Sequence, residues 1–353
     1  MRAPVAALLL LGSCAQAPPA VYPGEAWAEA SPESQGIDSA KLREALDWLA
    51  TNTGANGTSE TVVVRRGFLV WKGANVDRKH SVWSCTKSLT STAFGLLEAD
   101  GKVTLDTPAK DLLPHLAAAY GEVRLRHFLT MTSGYDGEGG SYDKHEGAAD
   151  ANALVPPSPP FFPPGTRFRY WDEAMMQFGS ALTKAAGEPL PDFMKRRVFD
   201  PIGMKSWTWA PAGAVPNWTG GFHTTARDLA RFGLLFLRGG LWDGRRIVPA
   251  DWVERATSIQ VPASLPRDPI SPRQEGPGVY GFNWWVNGLR PDGARHWPGA
   301  PPGAFAAVGH NNNRCFVVPE WDLVLVRTGT DGNVDRTVWG AFLAKLGAAL
   351  PSR

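Results

Sequence analysis

Several segments of the chain repeat apolar residues at the spacing of an amphipathic helix. Residues 38–51 carry leucines three and four positions apart, which predicts a helix that Asp38 or Ser39 would cap. A second apolar face begins directly after Ser84 and indicates a buried helix. Further helices are predicted over 123–135, where Gly134 would end the helix, and over 172–186, 189–198, 225–238 and 335–350.

Short apolar runs between turn residues predict strands elsewhere in the chain. Two such runs flank Arg66 and Gly67 in ETVVVRRGFLVWKG, and they predict a β-hairpin. Four more follow residue 279, in YGFNWWVN, GAFAAVGH, RCFVVP and DLVLVRTG. Neighbouring strands joined by short turns form antiparallel sheets, and the terminal helices would cover this one. We therefore predict an α+β fold with a mostly helical subdomain inserted at about 105–240.

The first 30 residues do not share these patterns. Arg2, an apolar stretch over 6–11 and small residues before Cys14 are typical of a secretory signal peptide. The letters LGSC at 11–14 resemble the bacterial lipobox, which implies lipidation of Cys14; simple cleavage is the alternative. Residues 15–30 read as a Pro/Ala tether. We expect an exported, periplasmic lipoprotein that touches the membrane only through its anchor, with a single domain over 31–353.

The composition is that of a soluble globular protein. Of the 353 residues, 43% are hydrophobic and 20% are charged, which is enough apolar surface for a sizeable core. The net charge is +2 without a long basic run, so nucleic acid is not an expected partner. Cys85 and Cys315 are too few for a disulfide scaffold, and whether they pair stays open. No Cys or His spacing indicates a zinc site.

Ser84 and Lys87 stand three residues apart where the buried helix begins. That spacing brings both side chains to one helix face, with Cβ atoms about 5–6 Å apart. A serine hydroxyl needs an adjacent base before it can act as a nucleophile. The helix N-terminus favours negative charge on the serine oxygen, and burial disfavours an ammonium, so Lys87 could be the neutral base. The N–H of Ser84 would then be one oxyanion donor.

A purely structural interpretation of this motif is also open. Ser84 would cap the helix, and Lys87 would extend its amine to solvent. Ser-x-x-Lys alone is a weak signal, because the chain contains a second copy at Ser141 and Lys144. The second copy lies in a Gly-rich segment without an apolar helix after it, so helical geometry is predicted only for the first.

Two later segments extend the motif at Ser84. PPGTRFRYWDEAMMQFG places Tyr170 just before a predicted helix, and GAFAAVGHNNNRCFVVPEWDLVLV places a Gly/Asn-rich corner between strands. In this order the segments resemble the serine β-lactamase/penicillin-binding-protein superfamily, most of all class C β-lactamase-like hydrolases such as family VIII carboxylesterases and aminohexanoate-oligomer hydrolases. Connecting segments such as LDTPAKDLLP and LRHFLTMTSG extend the resemblance from about residue 30 onward. It implies that Ser84 is the nucleophile, Lys87 its base and Tyr170 a proton relay.

The sequence departs from the superfamily pattern at two positions. The strand motif Lys-Thr-Gly of β-lactamases reads Ala-Val-Gly at 307–309, and Asp172 stands where Tyr-x-Asn has asparagine. A carboxylate cannot donate to a substrate carbonyl, so Asp172 either holds Lys87 by charge or caps the helix that follows. Both departures disfavour a carboxylated β-lactam but leave acyl transfer intact. The resemblance still implies a second oxyanion donor, the backbone N–H of His310, beside Gly309.

Four other side chains are predicted to line a substrate site. His223 precedes a predicted helix and is interpreted as a wall residue or cap. The others are Asn311 in the Gly/Asn-rich corner, Trp284 on a predicted strand, and Tyr135.

These residues predict a serine hydrolase that acts through an acyl-enzyme on small carboxylic esters or amides. No metal or organic cofactor is expected, and the protein would be a monomer or a homodimer. Two alternatives stay open. In one, an envelope penicillin-recognising protein, weak β-lactamase or D-amino-acid peptidase forms the acyl-enzyme but hydrolyses it slowly; in the other, the scaffold has no chemistry.

Overall fold

The computed structural model describes residues 20–136, 159–212, 215–269 and 275–351. Residues 1–19, with the predicted signal peptide and Cys14, lie outside this range, as does the second Ser-x-x-Lys copy at 141–144. The strands are β1 (Thr61–Arg65), β2 (Phe68–Lys72), β3 (His80–Ser81), β4 (Trp207–Trp209), β5 (Pro211–Ala212), β6 (Val215–Pro216), β7 (Phe222–Thr224), β8 (Leu241–Trp242), β9 (Arg245–Arg246), β10 (Trp285–Val286), β11 (Phe305–Gly309), β12 (Asn313–Val318) and β13 (Leu323–Arg327). The α-helices are α1 (Ser39–Asn52), α2 (Cys85–Ala99), α3 (Ala109–Leu112), α4 (Ala117–Tyr120), α5 (Leu125–Leu129), α6 (Asp172–Ala186), α7 (Leu190–Met194), α8 (Ala226–Leu237), α9 (Ala250–Ala256) and α10 (Arg336–Ala348).

The main sheet has six strands in the order β10-β11-β12-β13-β1-β2, and each neighbouring pair is antiparallel. The N-terminal hairpin joins the C-terminal strands through β1 and β13, with Val62 opposite Val326. The predicted α+β fold with an antiparallel sheet is therefore confirmed.

The two faces of the sheet bury different helices. Because side chains alternate along a strand, Val63 and Leu325 face one side while Val64 and Val324 face the other. Terminal helices α1 and α10 cover the first face. Helices α2 and α8 cover the second, where Cys85 and Cys315 are buried as free thiols.

Helix starts agree closely with the sequence patterns, but some helix and strand lengths do not. The Asp38 side chain accepts from the N–H of Lys41 and caps α1. The helix predicted over 123–135 is only the five residues of α5, because Met131 adopts a left-handed backbone with φ of 57°. In YGFNWWVN only β10 is a strand, because Asn283 also has positive φ.

The described residues contain no helix that is both long and apolar enough to cross a membrane.

Candidate active site

Ser84 lies directly before α2, at the position where a residue would cap the helix. Its side chain makes no capping hydrogen bond, and instead Lys87 Nζ donates to Ser84 Oγ at 2.8 Å. Lys87 is 1% exposed, so its amine does not extend to solvent. The structural interpretation of the motif is thus wrong in both of its parts.

Three oxygen atoms of the described residues lie within 3 Å of Lys87 Nζ as hydrogen-bond or ion-pair partners. Besides Ser84 Oγ, these are the backbone oxygen of Thr219 at 2.9 Å and Asp172 Oδ1 at 2.8 Å. The amine donates a hydrogen bond to the Thr219 oxygen and forms an ion pair with the Asp172 carboxylate. Together these two contacts hold the nitrogen next to the Ser84 hydroxyl.

Tyr170 brings its phenol ring beside this pair from the segment before α6. The ring centroid lies 4.9 Å from Lys87 Nζ, and the side chain is almost fully buried. Stacking on Trp285, with centroids 6.0 Å apart, and an edge contact with Tyr280 hold the ring in place. Three distant parts of the chain therefore meet around one amine.

The end of β11 packs directly against the start of α2. A Cβ atom added to Gly309 would lie 2.1 Å from the backbone oxygen of Val82 and 3.2 Å from the nitrogen of Ser84. Only glycine permits this approach. The next residue, His310, has its ring 5.1 Å from that of Trp83 and its Nδ1 2.7 Å from Asn333 Nδ2.

Ser84 opens onto two adjoining hollows. The larger has a volume of about 590 Å³ and the smaller about 170 Å³, and both include Ser84, Trp83 and Asp172 in their walls. His223 lies in the smaller one. The larger one is lined on several sides by aromatic rings, which are Trp83, Tyr170, Trp171, Trp285, His296, Trp297 and Trp339.

Three predicted wall residues do not line either hollow. Trp284 is fully buried in the core against Phe232 and Phe236, and its neighbour Trp285 faces the hollow instead. Strand alternation allowed either orientation. The prediction that Trp284 contacts substrate is therefore wrong.

Tyr135 and Asn311 serve the surrounding structure. The Tyr135 hydroxyl is buried and accepts from Gln177 Nε2 at 2.9 Å. Asn311 Oδ1 accepts from the N–H of Gly332, which ties the corner after β11 to the segment before α10. The prediction that Tyr135 and Asn311 line the substrate site is therefore wrong.

Several wall residues were not identified from the sequence. The backbone oxygen of Thr219 has no side-chain signature, so only the fold reveals its contact with Lys87. Arg314 and His296 lie far from Ser84 along the chain, and no sequence motif marks them as wall residues. Trp83 could have been found, because it stands directly before Ser84 in the sequence.

Burial sets the protonation of groups around the site. Burial, with a smaller contribution from Asp172, raises the pKa of Glu173 to about 8. Burial lowers the pKa of His296 to about 3, so this ring is neutral at neutral pH. It also raises the pKa of Cys85 to about 12, which makes the thiol beside Ser84 unreactive.

Within the described ranges, no group of three or more His, Cys, Asp or Glu side chains is placed to hold a metal ion.

The fold and the site together define a hydrolase of the β-lactamase superfamily, as the sequence motifs predicted. The model of the family described as Beta-lactamase matches residues 47–347, and the chain belongs to this family. The 6-aminohexanoate-dimer hydrolase of Paenarthrobacter ureafaciens is 24% identical over 311 residues, which cover 77% of this chain and 74% of that protein.

Solved structures share the fold across most of the chain. A penicillin-binding protein homologue from Caulobacter crescentus has a TM-score of 0.69 and 17% identity, covering 91% of this chain and 99% of that one. EstCE1, a hydrolase with promiscuous acyltransferase activity, has a TM-score of 0.66 and 18% identity, covering 88% of this chain and 98% of that one. These likenesses show a common fold.

Proposed function

We propose that the protein hydrolyses small carboxylic esters or amides through an acyl-enzyme on Ser84. The observation that carries this proposal is the contact between Lys87 Nζ and Ser84 Oγ, in which a buried amine faces a serine hydroxyl that makes no capping bond. Two similar proteins support hydrolysis and acyl transfer as the reaction class, since one is a 6-aminohexanoate-dimer hydrolase and the other is a hydrolase with promiscuous acyltransferase activity.

In the first step, Ser84 Oγ attacks the substrate carbonyl carbon while its proton passes to Lys87. The hydrogen bond to the Thr219 oxygen and the ion pair with Asp172 keep the amine beside this hydroxyl. Tyr170 relays the proton to the leaving alcohol or amine as the carbonyl–heteroatom bond breaks. The N–H groups of Ser84 and His310 would stabilise the oxyanion.

In the second step, water attacks the acyl-enzyme. The water gives one proton to the Tyr170 and Lys87 pair as its oxygen bonds to the acyl carbon. The bond between Ser84 Oγ and the acyl carbon then breaks, and the same pair returns the proton to the serine oxygen. The products are the carboxylic acid and the free enzyme.

Intact-protein mass spectrometry after treatment with a fluorophosphonate tests the nucleophile. We expect one adduct on the wild type and none on Ser84→Ala, together with steady turnover of p-nitrophenyl butyrate by the wild type alone. Unchanged labelling of Ser84→Ala would falsify the assignment. A stable penicillin adduct without ester turnover would instead support the slow-deacylation alternative.

We also propose that the chain is exported and anchored by a lipid on Cys14, on the basis of the LGSC segment. Expression of the full chain in a bacterial host should place it in the membrane fraction. Cys14→Ala should move it to the soluble fraction, and equal distribution of the two proteins would contradict the anchor.

A further inference from the structure

The described part of the predicted tether, residues 20–30, lies against the body of the protein. Arg231 of α8 is buried, and its Nη2 donates to the backbone oxygen of Gly24 at 2.9 Å. Further along, the N–H of Leu69 in β2 donates to the backbone oxygen of Ala28 at 2.9 Å. These bonds define the exit point, which is the place where the chain leaves the body toward its N-terminus.

Arginines surround this exit point. Tyr22 packs on Trp242 of β8, with ring centroids 5.3 Å apart. Burial raises the pKa of the Tyr22 phenol, and the nearby charges of Arg238 and Arg246 oppose that rise, so both guanidinium groups lie close to the ring. Arg245 pairs with Trp242 across the β8–β9 hairpin.

The turn between β1 and β2 brings a fourth arginine to the same place. A Cβ atom added to Gly67 would lie 2.1 Å from the backbone oxygen of Val21, so the turn packs directly on the exit segment. The N–H of Arg66 donates to the backbone oxygen of Asp322, and the carboxylate of Asp322 accepts from Arg238 Nη1 at 2.7 Å. The basic end of the protein is defined by four arginines, Arg66, Arg238, Arg245 and Arg246.

Positive charge exceeds negative charge at the basic end. Asp322 pairs with Arg238, and Asp243 is exposed at the tip of the β8–β9 hairpin. Arg66 and Arg245 are exposed, and their side chains make no hydrogen bond and no ion pair with any residue that the structure describes. A surface of this kind attracts anions, most strongly at low ionic strength.

The basic end and Ser84 lie at opposite ends of the main sheet. The first residue of β12 pairs with Gly309, which packs against the nitrogen of Ser84. The β1–β2 turn lies at the other end of β12, because Leu323 pairs both with Val318 and with Arg65. The six residues of β12 span about 16 Å at a rise of ~3.3 Å per residue.

We propose that the basic end binds the anionic phospholipid headgroups of the membrane that holds the Cys14 anchor. The inference rests on the proposed anchor. Cys14 and Ala20 are six residues apart, and a chain extends by at most about 3.5 Å per residue, so the exit point stays within roughly 20 Å of the lipidated cysteine. Basic residues this close to an anionic bilayer are drawn onto its surface. Ser84 then lies on the aqueous side, and the proposed hydrolase takes its substrates from solution.

Vesicle sedimentation of the full chain carrying Cys14→Ala tests this surface in the absence of a lipid anchor. Vesicles of phosphatidylcholine are compared with vesicles of equal parts phosphatidylcholine and phosphatidylglycerol. Apolar contacts are common to both, so the ratio of the two partition coefficients measures the charge-dependent binding. We expect this ratio to exceed one and to fall when salt is added. Equal binding to the two kinds of vesicle would overturn the proposal.

A pair of double variants in the Cys14→Ala background locates the contact. Arg66→Gln with Arg245→Gln should lower the ratio tenfold or more, because each basic side chain near an anionic surface strengthens binding. Lys110→Gln with Lys184→Gln is the matched control, since it removes two exposed charges from α3 and α6 and should keep the ratio. Equal losses in the two double variants would show general charge attraction and would overturn the basic end as the contact surface.

Hydrogen exchange provides a measurement that needs no arginine variant. Vesicles with phosphatidylglycerol should slow amide exchange of the Cys14→Ala protein over 65–68 and 238–246 and leave 309–313 unchanged. Slower exchange over 309–313 alone would overturn the orientation. Turnover of p-nitrophenyl butyrate should be equal with and without vesicles. The anchor fails separately, through equal fractionation of wild type and Cys14→Ala, and the hydrolase fails separately, through absent labelling of Ser84.

Discussion

Lys87 Nζ and Asp172 Oδ1 lie 2.8 Å apart where the starts of α2 and α6 meet. The sequence left two roles open for Asp172, holding Lys87 or capping a helix. In the structure the cap position of α6 belongs to Trp171, and no side-chain capping bond is formed there. The geometry therefore supports the first role, in which the carboxylate fixes the amine beside Ser84.

Replacing Asp172 with asparagine should lower activity, because the neutral amide cannot form the ion pair that holds the amine beside Ser84. We expect kcat/KM for p-nitrophenyl butyrate to fall by about 10–100-fold in Asp172→Asn, the usual effect of a misplaced catalytic group. The rate of fluorophosphonate labelling of Ser84 should fall in parallel. Unchanged turnover and labelling would contradict this positioning role.

Tyr170→Phe removes the phenol oxygen and keeps the ring that stacks on Trp285. We expect kcat/KM to fall by about 10²–10⁴, the usual contribution of a positioned acid–base group, with little change in the thermal midpoint. Tyr280→Phe is a matched control, because this ring contacts Tyr170 but does not line either hollow. Equal losses in both variants would argue against a proton relay at Tyr170.

Gly309→Ala tests the close approach of β11 to α2. The added methyl would overlap the backbone oxygen of Val82, so the strand must shift away from Ser84. We expect a loss of about 1–3 kcal/mol in unfolding free energy from overpacking and a larger proportional loss of kcat/KM. Gly24→Ala adds a methyl with nothing within 4 Å and should behave as wild type. Full activity in Gly309→Ala would show that the packing does not position the site.

The raised pKa of the buried Glu173 carboxyl should make the free energy of unfolding depend on pH. Its pKa is raised from about 4.5, the value expected in the unfolded chain, to about 8 in the folded state. Between these two pH values the folded chain therefore binds one more proton than the unfolded chain. Stability should therefore fall as pH rises from 4.5 to 8, by at most about 1.4 kcal/mol per pH unit. Glu173→Gln should flatten this slope in thermal or urea unfolding, whereas the exposed-site variant Glu254→Gln should keep it. Parallel slopes in all three proteins would contradict a buried, protonated carboxyl.

Local sequence patterns were sufficient for much of the fold. Short apolar runs specified β1, β11, β12 and β13, and helical spacing specified α1, α2, α6 and α8. These signals are strong because each element buries one face or one run of residues in the core. Met131 and Asn283 have positive φ, which ends or prevents regular structure at these positions. The apolar spacing continues past them, so the sequence pattern predicted elements that are too long.

The sequence by itself placed Ser84 and Lys87 on one face of a helix, because a three-residue spacing fixes their relative position. Tertiary structure alone decided which distant groups surround that pair. The contact of Lys87 with the Thr219 carbonyl and the stacking of Trp285, rather than Trp284, on Tyr170 depend on strand register and on packing between elements. Such contacts join residues more than a hundred positions apart, and no local pattern encodes them.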